Sequence, residues 1–154
     1  MSLTSNQDLV DLASKWRIPL VGVFSKNELP LRPHNGGWII NLQDDEDTVG
    51  NPLGGTHWTV FYIEGNSAVY FDSFGFPPPL EVITFLKDFK PFPFNNKHIQ
   101  NVVSGYCGQY CLFFIYFMCS QKGPLVKRMN KLCDLFSDDT EKNLTLLKKY
   151  LPIN

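Results

Sequence analysis

Residues 57–72 read HWTVFYIEGNSAVYFD. Two runs rich in β-branched and aromatic residues, 57–63 and 68–72, flank Gly65-Asn66, a dipeptide that favours the positive backbone angles of a tight turn. The segment therefore reads as a β-hairpin. In an antiparallel pair, the start of one strand lies beside the end of the other. His57 opens the first strand and Asp72 closes the second, so local geometry alone makes the two neighbours. An imidazole beside a carboxylate is the base-and-orienter pair of nucleophilic catalysis, although a surface His–Asp pair contributes little by itself.

Working outward, residues 6–16 place Leu9, Val10, Leu12, Ala13 and Trp16 at helical spacing, with Pro19 expected to end the helix. Residues 20–24 and 38–42 are short apolar runs and read as strands, separated by the turn-rich stretch 27–37. An acidic, Gly-rich loop, 43–55, carries Asp44, Asp45, Glu46 and Asp47; it reads as solvated, and its place beside His57 suggests a bias toward positively charged substrates. After Asp72 the run SFGFPPP excludes regular structure. Residues 80–89 fit a helix ended by Pro91 and Pro93, and 99–103 fit a strand. Residues 107–119 form an apolar helix broken at Gly123-Pro124, and 126–136 and 140–151 are amphipathic helices. The order implies an α+β class and a single domain over 1–154.

Bulk properties narrow the function classes. The chain has 154 residues, 44% hydrophobic and 19% charged, which suits one globular domain with a core. A net charge of -1 supplies no global field toward nucleic acid or an anionic membrane. The locally basic stretch 122–131 reads as a solvated face, with a nucleic-acid contact as the sharper alternative. The apolar run 112–118 is far short of the roughly 20 residues of a membrane span, and the polar N-terminus does not read as a secretory signal. Four cysteines in such a chain imply free thiols in a reducing, intracellular compartment.

Cys107 is the candidate nucleophile. A Gly-containing loop precedes it and an apolar helix follows, so its sulfur sits where a helix dipole favours negative charge. Gly108 keeps space open beside it, and Cys111, one turn deeper, reads as buried and inert. Gln100, on the expected strand, points its amide toward the helix start and is a candidate oxyanion donor; otherwise it is an exposed strand residue. A zinc reading of Cys107, Cys111, Cys119, Cys133 and His98 fails because their spacing matches no common zinc pattern. His34 and His98 read as exposed. No metal and no cofactor is expected.

Three segments, GGTHW at 54–58, YFDSFGF at 70–76 and QNVVSGYCGQYC at 100–111, resemble the adenovirus proteinase (adenain) family and its cousins, the SUMO-deconjugating proteases. The order His, acid, Gln, Cys is that clan's, and VGVFSKNELP at 21–30 is also similar. The likeness runs over roughly 6–121. It implies an adenain-like, permuted papain-like fold: a small mixed sheet with the nucleophile at the N-terminus of a buried helix. It implies a thiol endopeptidase with His57 as base, Asp72 as its partner, Cys107 as nucleophile, Gln100 as oxyanion donor, and Trp58 lining the cleft for substrate glycine. The bottom-up alternative for Trp58 is a core aromatic.

The substrate implied is a structural precursor or polyprotein of viral or transposon type, in a host nucleus or virion. A ubiquitin-like-protein deconjugase is the nearest alternative, and a catalytically dead binding module the non-enzyme one. The adenoviral enzymes bind an activating peptide by a disulfide to a cysteine between acid and glutamine. No cysteine lies between Asp72 and Gln100 here, so any activating peptide must act without that bond. The net charge argues against DNA as a partner, and a monomer is expected.

Overall fold

A computed structural model describes residues 5–42, 57–101 and 103–151. Helix α1 (Asn6–Lys15) precedes strands β1 (Leu20–Ser25), β2 (Gly36–Asn41), β3 (Trp58–Glu64) and β4 (Ser67–Phe71). Helix α2 (Leu80–Phe85) follows, then α3 (Cys107–Ser120), α4 (Leu125–Asp134) and α5 (Thr140–Tyr150). The acidic run 44–47 and Gly54-Gly55 lie outside the described residues.

The strands form one sheet in the order β1-β2-β3-β4. The β1–β2 pair is parallel and the other two are antiparallel, so the sheet is small and mixed. The expected hairpin is present, with Glu64 opposite Ser67 and Val60 opposite Phe71. Gly65 takes a φ of 61°, the left-handed region that the turn needs.

Both faces of the hairpin are buried, which is why it reads as continuous apolar sequence rather than as alternation. One face carries Trp58, Val60, Tyr62, Val69 and Phe71 into a core shared with α1, α3, α4 and α5. The other carries Phe61, Ile63, Ala68 and Tyr70 into a second core with Trp38, Ile40, and Val82 and Leu86 from the α2 region. Helix α3 is buried nearly all round, as its uniform hydrophobicity requires. Among the described residues no helix is long and apolar enough to cross a membrane.

Several expectations need correction. Helix α1 stops before Pro19 is reached. Arg17 adopts a φ of 56°, and the Arg17 and Ile18 N–H groups donate back to the Ser14 and Ala13 carbonyls at 3.2 and 2.8 Å. That closes the helix by a left-handed cap, with Arg where Gly is usual. The expected helix at 80–89 divides at Leu86 into α2 and a short 3-10 turn at 87–89.

The basic stretch 122–131 is not simply a solvated face. Arg128 is buried, with its guanidinium donating to both Glu64 carboxylate oxygens at 2.8 Å and to the Gly123 and Met118 carbonyls. Gly108 does not hold space open beside the sulfur. A Cβ there would stand 2.7 Å from Leu9 Cδ2, so this glycine lets α1 approach α3. The expected strand at 99–103 is not one: its described residues form irregular backbone, held by hydrogen bonds from outside the segment.

Candidate active site

His57 stands immediately before β3 and Asp72 immediately after β4. Their side chains meet as the hairpin predicts, with His57 Nε2 2.8 Å from Asp72 Oδ1. Carrying the register outward from Val60 and Phe71 puts Phe74 opposite His57, and the two rings stack at 4.0 Å and 5°. The imidazole is thus fixed in both orientation and plane.

The acid is fully buried. Its Oδ1 also accepts from the Phe74 N–H at 2.8 Å. Asn95 clasps its main chain from across the loop. The Asp72 N–H donates to Asn95 Oδ1, and Asn95 Nδ2 donates to the Asp72 carbonyl, each at 2.8 Å. Gly75, at φ 84°, lets the turn after the acid lie against the Lys97 backbone, where a Cβ would come within 2.9 Å.

Cys107 is the first residue of α3 and is buried in the larger core, to which Trp58 and Tyr110 also belong. The first turn of α3 contains no acidic residue and no side-chain cap, so no carboxylate of that turn offsets the positive end of the helix. Cys107 and His57 interact. Burial is the largest influence on His57 and opposes its charge. Hydrogen bonding to Asp72 and to Cys107, with the negative charge of both, outweighs burial and pushes the His57 pKa up to about 9.

Since Nε2 is held by Asp72, the Cys107 interaction falls to Nδ1. That nitrogen is buried and makes no hydrogen bond of ordinary geometry among the described residues, so the contact is looser than the one to Asp72. The other thiols differ. Burial, reinforced by the charges of Cys107 and Asp72, drives the Cys111 thiol well up, and burial also drives that of Cys133 up to about 11.

Gln100 is buried, which removes its reading as an exposed strand residue. Its N–H donates to the Ser73 carbonyl at 3.0 Å, its Oε1 accepts from the Ser73 hydroxyl, and its Nε2 donates to the Ser104 carbonyl at 2.9 Å. Next to it, the Ile99 carbonyl accepts from Asn143 Nδ2 of α5 at 2.9 Å.

Trp58 is 3% exposed and packs in the core with Cys107, as its core-aromatic reading has it. His34 and His98 are exposed, as expected. The residues not anticipated are Ser73, Asn95 and Asn143. Each has a polar or charged neighbour in sequence, Asp72, Asn96 and Lys142 respectively, and nothing in their spacing marks them as buried.

The same fold occurs in a protease. Two crystal structures of the ASFV pS273R protease, one of them the selenomethionine form, superimpose on this chain. The first matches with a TM-score of 0.59 at 18% sequence identity, covering 97% of this chain and 67% of that one. The second matches with a TM-score of 0.55 at 16% identity, covering 97% and 68%. No family model and no curated protein matches the sequence. At such identities the likeness is one of fold, a mixed α+β architecture shared with a viral protease.

Proposed function

We propose that this chain is a cysteine endopeptidase in which Cys107, His57, Asp72 and Gln100 act together. The observation that carries the reading is the position of His57. It is held at 2.8 Å by a buried carboxylate on one side and interacts with a thiol at the head of a helix on the other. A buried carboxylate that fixes an imidazole beside a nucleophile has a cost in desolvation that a purely structural pair would not need.

In the proposed reaction His57 Nδ1 takes the Cys107 proton, and the sulfur attacks the substrate carbonyl carbon. The carbonyl π electrons move to oxygen. That oxyanion is received by a Gln100 Nε2–H and the Cys107 backbone N–H. His57 then protonates the departing amine as the C–N bond breaks, leaving a thioester. Water, deprotonated by His57, hydrolyses the thioester and frees the thiol. Asp72 keeps Nε2 protonated so that Nδ1 is the working nitrogen. Trp58 supplies the apolar floor of the cleft, against which substrate glycine would lie.

The substrate class proposed is a structural precursor protein of viral or transposon type, cut at Gly-containing sites. Profiling the purified chain on a peptide library tests this. Cleavage at glycine-containing peptides is expected. Activity confined to ubiquitin-like-protein C-termini would favour the deconjugase instead. Cys107→Ala should abolish both cleavage and labelling by a thiol probe while Cys111→Ala retains most activity. Full activity in Cys107→Ala would end the proposal.

A further inference from the structure

Ser73 directly follows the acid and is 2% exposed. Its carbonyl accepts from the Ile99 and Gln100 N–H groups at 2.9 and 3.0 Å, and its hydroxyl donates to Gln100 Oε1. The opposite end of the same amide meets the Ser104 carbonyl at 2.9 Å. A carbonyl oxygen can only accept, so the Gln100 atom facing Ser104 has to be the nitrogen. The atom facing Ser73 is then the oxygen, and the hydroxyl has to be the donor. The NH2 group carries two hydrogens, of which Ser104 takes one. The amide is thus clamped at both ends, and its second N–H makes no hydrogen bond among the described residues.

We propose that Ser73 is a positioning residue for the oxyanion donor: by donating to Gln100 Oε1 it fixes the rotation of the amide, and so the direction of its remaining N–H. This rests on the reading of Gln100 given above. Because Ser73 adjoins Asp72, one short turn would then set both the base, through the acid, and the oxyanion donor, through the hydroxyl. Without the hydroxyl, Oε1 is a buried acceptor with no donor. The terminal torsion of a glutamine is broad, so the amide then rotates and its N–H is aimed correctly only part of the time.

The test is a double-mutant cycle in the full chain, with two readouts. Hydrolysis of a cleaved peptide reports the oxyanion. Iodoacetamide alkylation of Cys107 across pH forms no oxyanion and reports the Cys107–His57 pair alone. Ser73→Ala is expected to lower kcat about 10-fold, less than loss of a whole oxyanion donor, with KM and the alkylation profile unchanged. In a Gln100→Ala background it should cost nothing further. Ser73→Thr and Ser73→Val, alike in shape, separate the hydroxyl from packing should the alanine variant not fold; only the threonine should keep activity.

Equal losses with and without Gln100, or a shifted alkylation profile, would show Ser73 acting through Asp72 or the fold and would overturn the proposal. Unchanged kcat in Ser73→Ala would overturn it while leaving the protease reading intact. Absence of any His57-dependent alkylation or cleavage in the parent chain would remove both.

Discussion

The two halves of the proposed site are built by different means. His57 and Asp72 flank one hairpin, and strand register alone brings them together. The described residues between Gln100 and Cys107 form irregular backbone, and Gln100 is held by the Ser73 hydroxyl from across the chain and by the Ser104 carbonyl four residues on. A register is specified many times over, because a slip of one residue would turn every buried side chain of the hairpin to the wrong face. An irregular segment is specified bond by bond, because each of its buried backbone groups needs its own partner. The acid–base half should therefore tolerate single changes nearby, whereas the oxyanion half should be sensitive to them.

The largest break in this comparison is removal of the base itself. His57→Ala is expected to lower both peptide hydrolysis and the alkylation rate of Cys107 by about 10²–10⁴-fold, the usual contribution of a positioned general base. Alkylation at the parental rate would detach the hairpin half from the thiol. Next comes the donor. Gln100→Ala should lower kcat about 10²–10³-fold, with KM changed little, while alkylation is spared. A kcat within a few-fold of the parent would leave the oxyanion to backbone donors and make the two halves unequal in importance.

The clasp of Asn95 on the Asp72 main chain lies between the halves. Asn95→Ala strands buried backbone groups and should destabilise the chain by about 1–3 kcal/mol, measured by urea denaturation. A change below that range would mean that the hairpin alone holds the acid. A pH series sharpens the comparison further. The His57 pKa is raised to about 9 from the ordinary histidine value of 6.5. The folded chain therefore holds a proton more tightly than the unfolded one. This contribution to stability is full below pH 6.5 and is lost as pH rises toward 9. The urea midpoint should fall across that window, and the fall should be shallower in Asp72→Asn. Equal slopes would mean that the Asp72 partner does not set the His57 proton affinity.

The same difference explains what could be read from the sequence. The α+β class, the helices and the His57–Asp72 contact follow from periodicity and one turn dipeptide, all local signals, whereas the mixed sheet was implied only by the family resemblance. Cys107 at the start of α3 was legible because an apolar helix follows a glycine loop. Gln100 was singled out on a strand reading that the structure does not bear out. It is not on a strand, and its burial depends on Ser73, Ser104 and the neighbouring Asn143 tether, contacts that sequence spacing does not encode. The end of α1 was placed within one residue but ascribed to Pro19, a strong breaker signal, whereas an arginine in the left-handed region carries almost none. Arg128 looked like part of a charged face until the fold supplied Glu64 and two carbonyls.

The clasp between Asp72 and Asn95 has one more consequence. It closes the excursion that contains α2 at its base, so the acid is anchored independently of how far the chain wanders before returning. Lengthening such a closed loop costs little, about 0.6 kcal/mol for each doubling. Phe76 and Pro77 are exposed in its first, irregular stretch. A few glycine and serine residues inserted between them should shift the urea midpoint by only a few tenths of a kcal/mol equivalent. Chain length there is a quantity that evolution or an engineer can vary without disturbing Asp72.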